Sequence, residues 1–227
     1  MPPRTQTESP PRWTPAEIIA LLDQRYGRAP QQASHDPVFE LVLTLLSQHT
    51  SDHNSGQAMH RLIERFPAWD DVLAAPVAEV EDAIRPGGLA PTKSKRLQEL
   101  LAEVRRRAPG WDLEHLRELP LEDAKSWLTS LPGVGPKTAA CVLLFALERP
   151  ALPVDTHVER VAKRLGLVPP KMPADKAHAA LEAMLEPDDV YAFHVDLIQH
   201  GRRTCHARRP LCEACVLEPR CPRMGVT

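Results

Sequence analysis

Apolar residues recur three or four positions apart along most of this chain, the spacing of one face of a helix. Met59, Leu62, Ile63 and Phe66 are one such set. The periodicity predicts helices near 54–66, 77–85, 92–107, 121–129, 136–148, 156–165, 173–185 and 188–201. Thr14 opens an earlier helix: Pro15 suits its first turn, and Glu17 completes a T-x-x-E capping box. Asp36-Pro37 repeats the cap-then-proline signal ahead of VFELVLTLL. Pro and Gly clusters such as RPGGLAP and VPPKMP separate the helices. No Val/Ile/Thr-rich alternation predicts a strand, and no internal repeat is present. The pattern predicts an all-α protein. Residues 1–12, rich in Pro, Ser and Thr, are expected to form a disordered tail.

At 227 residues the chain can bury one large core or two small ones. A formal net charge of −2 excludes a globally basic nucleic-acid binder. Positive charge is concentrated locally instead. Arg85, Lys93, Lys95, Arg96, Arg105, Arg106 and Arg107 form one group, and Arg202, Arg203, Arg208, Arg209, Arg220 and Arg223 another. Such patches contact phosphates or simply solvate a helix face. No apolar run reaches membrane length, and MPPRTQTESPPR lacks a secretory apolar stretch. The expectation is therefore a cytoplasmic protein with no membrane partner.

Cys205, Cys212, Cys215 and Cys221 are spaced C-x6-C-x2-C-x5-C within the last 23 residues. Four thiolates so close in sequence can enclose one metal centre. Zinc modules usually bring two short C-x2-4-C pairs, and only Cys212 and Cys215 form one. A cubane iron–sulfur cluster accepts uneven spacing. Disulfides require an oxidising compartment. Spacing ranks the cluster ahead of zinc and leaves both open. Cys141, in the apolar run AACVLLFAL, reads as a core thiol.

LPGVGPKTA carries the second signal. Gly133 and Gly135 bracket Val134, leaving two backbone amides unshielded where Pro136 starts a helix. Amides at a helix N-terminus bind anions, and a DNA phosphate fits there. The segment reads as a helix–hairpin–helix element. Lys137 lies just inside the second helix, as a phosphate contact or as a nucleophilic amine; the helix dipole and burial both favour the neutral form that attack requires. Downstream, VDTHVER places Asp155 as the cap of a helix starting at Thr156. A rigid carboxylate there can also stabilise positive charge developing on a sugar, and near the lysine it would oppose the dipole by favouring the ammonium, so the sequence leaves that balance open.

LPGVGPKTA, VDTHVER and HGRRTC-x6-C-x2-C-x5-C, in this order, resemble endonuclease III over roughly residues 14–223. The resemblance implies a two-lobed helix–hairpin–helix DNA glycosylase. A six-helix barrel would span 34–149, and residues 13–33 with 150–227 would form a lobe holding a [4Fe–4S] cluster on the four cysteines. Damaged double-stranded DNA would lie between the lobes. Lys137 would attack C1′ of the damaged nucleotide with help from Asp155, and β-elimination would follow from the Schiff base. The base must first leave the stack. LLSQHTSD resembles the gap-filling loop, with His49 at the usual glutamine position and Gln48 beside it. Gly88-Leu89-Ala90-Pro91-Thr92-Lys93 resembles the wedge loop, with Leu89 as the wedge, although A-P-T stands where Y-N-S is frequent. Gly133, Val134, Gly135, His157, Arg208 and Arg209 would contact DNA. His200, Gly201 and Arg202 also match, without an assigned role. The implied enzyme is a nucleoid-associated monomer that removes oxidised pyrimidines and nicks the strand. The alternatives are a monofunctional glycosylase that excises a mismatched or deaminated base, against which Lys137 argues, and a non-enzymatic DNA-binding module.

Overall fold

A computed structural model describes residues 12–31 and 33–226, the side chain of Asp175 excepted. The described residues are all-α, without strands. Twelve α-helices are formed in order: α1 Pro15–Tyr26, α2 Pro37–Leu46, α3 Asp52–Arg65, α4 Trp69–Ala74, α5 Val77–Ile84, α6 Ala90–Arg107, α7 His115–Glu118, α8 Leu121–Thr129, α9 Pro136–Cys141, α10 Thr156–Arg164, α11 Ala174–Glu182 and α12 Val190–Arg203. Two compact units result, one from the described residues of Met1–Gln31 and Val154–Thr227, the other from those of Gln32–Pro153.

The caps form as the sequence predicts. Thr14 Oγ1 accepts from Glu17 N while Glu17 Oε2 accepts from Thr14 N, closing the box. Asp36 Oδ1 accepts from Val38 N and Phe39 N at the start of α2. The tail expected over residues 1–12 falls outside the described residues except for Arg12, whose Nη1 donates to Gly166 O at 2.9 Å. The predicted helix over 136–148 becomes α9 followed by a wide π turn, Val142–Ala146. The chain leaves it through Glu148, whose φ is 52°.

In the unit Gln32–Pro153, α2 supplies Leu41, Leu45 and Leu46 to a core shared with Leu62, Ile84, Leu97, Leu100, Leu101 and Val104. Burying each such side chain stabilises by roughly 1.5–3 kcal/mol. This packing fixes α2 and α6, whose ends carry the loops considered below. Cys141 is buried, as expected.

In the other unit α12 packs between α1 and α10. Gly201 makes the α10 contact possible, since a Cβ there would lie 2.9 Å from Arg160 Nη2 and from His157 Nδ1. Trp13 Nε1 donates to Leu217 O at 2.8 Å, and the Arg220 guanidinium stacks 3.4 Å from the Trp13 ring centroid. Those contacts tie the entry of α1 to the C-terminal segment.

Asp196, on α12, is 1% exposed, and its Oδ2 has no partner among the described residues; Asp23 Oδ1 on α1 is likewise buried and unpaired. Burial, and then the Asp23 charge, push the Asp196 carboxyl from 3.8 to about 7, with Arg28 opposing. A raised carboxyl pKa means that the folded state holds the proton more tightly. Its stabilisation is complete at low pH and is lost as pH rises from about 4 to about 7. Asp196→Asn should therefore unfold at higher urea than wild type at pH 8, and the difference should disappear at pH 4.

Candidate active site and nucleic-acid interface

The hairpin begins where α8 runs out. Ser130 N donates to Ser126 O at 3.1 Å and Leu131 N to Leu128 O at 3.1 Å. Leu131 and Val134 are buried and anchor the turn, with Val134 N bonding back to Leu131 O at 3.2 Å. Gly133 has φ 75°, a left-handed conformation that glycine adopts without steric cost. Gly135 differs: its φ is −96°, and a Cβ there would meet nothing within 4 Å. Neither backbone conformation nor internal packing requires glycine at 135. Both glycines are exposed, and among the described residues their N–H groups donate to no backbone carbonyl.

Lys137 is the second residue of α9 and is half-buried. A charge absent from the sequence reading stands near it. Glu40, on α2, is 8% exposed, and burial raises its pKa against three opposing effects: a bond from Thr44 Oγ1, the Lys137 charge and a bond from Ser34. The Thr44 bond measures 3.2 Å. The available signal was one acid inside the otherwise apolar run of α2, four residues before Thr44.

Asp155 caps α10 in the other unit. Its Oδ1 accepts from His157 N at 2.9 Å and Val158 N at 2.7 Å, so the cap leaves Oδ2 uninvolved. The next turn is braced in turn. Arg160 Nη2 donates to Gly201 O at 2.9 Å and meets His157 Nδ1 at 3.1 Å. Burial lowers the His157 pKa, the Asp155 charge opposing. Gly201 thus belongs to the support of the cap.

Cys205, Cys212, Cys215 and Cys221 line one apolar pocket with Val161 and Leu165. Burial pushes the Cys215 thiol up to about 11, with the Cys221, Cys205 and Cys212 sulfurs adding to the effect. Arg164 Nη1 lies 3.3 Å from Cys205 Sγ. His200 Nε2 lies 3.6 Å from Cys215 Sγ, while its Nδ1 meets Tyr26 Oη at 3.0 Å. The donor set fits a buried metal centre: four thiols share the pocket, and the Arg164 guanidinium against one of them offsets anionic sulfur. Among the described residues, no three His, Cys, Asp or Glu side chains are grouped as ligands of a single metal ion.

The remaining candidates lie in exposed loops. His49 (φ 55°) and Leu89 (φ 50°, 58% exposed) are left-handed although neither is glycine, and Gln48 is half-buried beside His49. Arg208 and Arg209 are exposed and border a recess with Arg164. The basic group at the C-terminal end of α6 is partly neutralised: Arg105 pairs with Asp70, and Arg106 and Arg107 share Glu103. Lys93 departs further from a solvated face, being 3% exposed.

An all-α chain with a glycine hairpin feeding a half-buried lysine defines a helix–hairpin–helix protein. The profile of the "HhH-GPD superfamily base excision DNA repair protein" family matches residues 42–187, and the chain belongs to that family. It is 38% identical over 188 residues to "Putative DNA glycosylase At3g47830" of Arabidopsis thaliana, covering 82% of this chain and 64% of that protein. The chain thus spans under two thirds of the length of that plant protein. Endonuclease III of Thermotoga maritima is 34% identical over 206 residues, covering 90% of this chain and 91% of the relative. The resemblance to endonuclease III drawn from the motifs therefore holds. A solved structure, "Structure of a non-covalent Endonuclease III-DNA Complex", superposes with a TM-score of 0.79 at 28% identity, covering 93% of this chain and 96% of that one. Among the described residues no helix is long and apolar enough to cross a membrane.

Proposed function

We propose that the protein is a bifunctional DNA glycosylase and abasic-site lyase that removes oxidised pyrimidines from duplex DNA. The observation that carries this reading is Lys137 directly after the glycine turn, in a chain of the base excision repair family. The Lys137 amine attacks C1′ of the extruded nucleotide and displaces the base. Opening of the C1′–O4′ bond turns this adduct into a Schiff base, the ring oxygen taking a proton; the Schiff base acidifies the C2′ proton, and β-elimination expels the 3′ phosphate. Asp155 supplies a fixed anion to the positive charge that develops on the sugar. Gln48 and His49 occupy the gap left by the base, Leu89 wedges the stack, and His157, Arg208 and Arg209 hold the backbone. The unit Gln32–Pro153 acts as the barrel, and the described residues of Met1–Gln31 and Val154–Thr227 act as the cluster lobe. The protein acts as a monomer on nucleoid DNA in the cytoplasm.

Cys205, Cys212, Cys215 and Cys221 would hold a [4Fe–4S] cluster, which would anchor the loop of Arg208 and Arg209. Binding requires the thiols to lose protons, so folding of this segment is coupled to the cluster.

The test is borohydride reduction of protein, with its iron–sulfur absorption intact, on a duplex bearing an oxidised pyrimidine. A covalent adduct and a nicked strand are expected. Base loss without adduct or nick would make the protein monofunctional, and tight duplex binding without turnover would make it a binding module. The hairpin has its own test. Gly135→Ala adds a methyl into open space at an ordinary φ, so thermal unfolding should not change. Duplex affinity should fall about tenfold, about 1.5 kcal/mol, the scale of one hydrogen bond to a charged group. Fluorescence anisotropy measures it.

A further inference from the structure

We infer that Lys93 is a positioning residue: its buried ammonium locks the loop carrying His49 to the loop carrying Leu89, so that gap filling and wedging occur as one movement. The inference rests on the glycosylase reading for what the two loops do.

Lys93 Nζ donates to Leu46 O at 2.7 Å and to Gly87 O at 2.8 Å. These carbonyls are the roots of the two loops. Leu46 ends α2, three residues before His49; Gly87 ends a 3₁₀ turn, two residues before Leu89. The last carbonyls of a helix lack intrahelical partners, and a cation is favourable beside them. The two roots also touch, since a Cβ on Gly87 would lie 3.1 Å from Ala58 Cβ and 3.7 Å from Leu46 O. One ammonium therefore spans two segments about 40 residues apart in sequence that converge at the base of two exposed tips.

The tips give this bond a purpose. His49 and Leu89 both hold left-handed backbones, a strain that persists only where the surroundings over-determine it. A lysine buried for stability alone would be better replaced by an apolar chain, and burial indeed lowers the pKa of Lys93. An ammonium with two carbonyl acceptors fixes direction and distance, which an apolar contact does not. The wedge and the gap filler need that if they are to enter the stack together.

Lys93→Met keeps the length of the side chain and removes the donor. Its thermal unfolding should remain cooperative. Single-turnover base removal from a damaged duplex should fall about 100-fold, the scale of a misplaced positioning group. Borohydride trapping on a single-stranded abasic oligonucleotide, where there is no stack to open, should stay at the wild-type level. His49→Ala and Leu89→Ala should be non-additive in duplex excision with Lys93 present and additive in the Lys93→Met background. Equal losses on duplex and single strand, or additivity in both backgrounds, would overturn the inference. If Lys93→Met does not fold, Lys93→Gln, which keeps a donor, must show the same selective loss at smaller size. A wild-type protein that traps on neither substrate would sink the glycosylase reading instead.

Discussion

The Lys137→Ala protein is expected to form no borohydride-trapped adduct on an abasic duplex and to leave that duplex without an enzyme-made nick. Loss of a covalent nucleophile removes activity on the order of 10⁴-fold or more. Binding should survive, because the turn amides of Gly133 and Gly135 belong to the backbone. Folding should survive as well, since a half-buried polar side chain costs only about 0.5 kcal/mol when truncated. Glu40 gives an internal check. Burial raises its pKa and the Lys137 charge holds that rise in check, so Glu40 should bind its proton more tightly in the variant. Adduct gel shift, strand nicking and anisotropy separate the three quantities. Nicking at the wild-type rate would move the nucleophile elsewhere.

Asp155→Asn should separate charge from cap. An asparagine oxygen caps a helix as well as an aspartate oxygen does, so both bonds to Oδ1 can be kept. Thermal stability should fall by no more than about 0.3–1 kcal/mol, the interaction of the charge with the helix dipole. Base removal should fall about 10²- to 10³-fold, the scale seen when one preorganised electrostatic group is lost. Asp155→Ala should lose the same activity and about 1 kcal/mol more of stability, because the cap is gone. Single-turnover excision beside thermal unfolding reads both. An Asn variant with wild-type excision would reduce Asp155 to a cap.

Both positions were legible before the structure because their signals are local. Caps act over two or three residues, so Thr14, Asp36 and Asp155 were readable and form as expected. Helices α4 and α7 were missed. They span six and four residues, too few to show a period, and their N-caps make no side-chain cap bond. The start of α6 was placed near 92 rather than at Ala90 because Leu89 adopts a left-handed N-cap that its sequence does not announce.

By itself the sequence determined the helical class, the caps, the glycine turn, the lysine after it and the spacing of the four cysteines. Each of these is written in residues at most a few turns apart. Tertiary structure decided which polar groups are buried. Lys93, read as one of a basic cluster, bonds to the carbonyl of Leu46, 47 positions away. Asp196 is buried within reach of the charge of a carboxylate from α1, and Glu40 within reach of the charge of a lysine from α9. Backbone carbonyls are the same in every residue, and the charge that meets a buried side chain arrives from a distant helix. Neither leaves a mark in the local sequence.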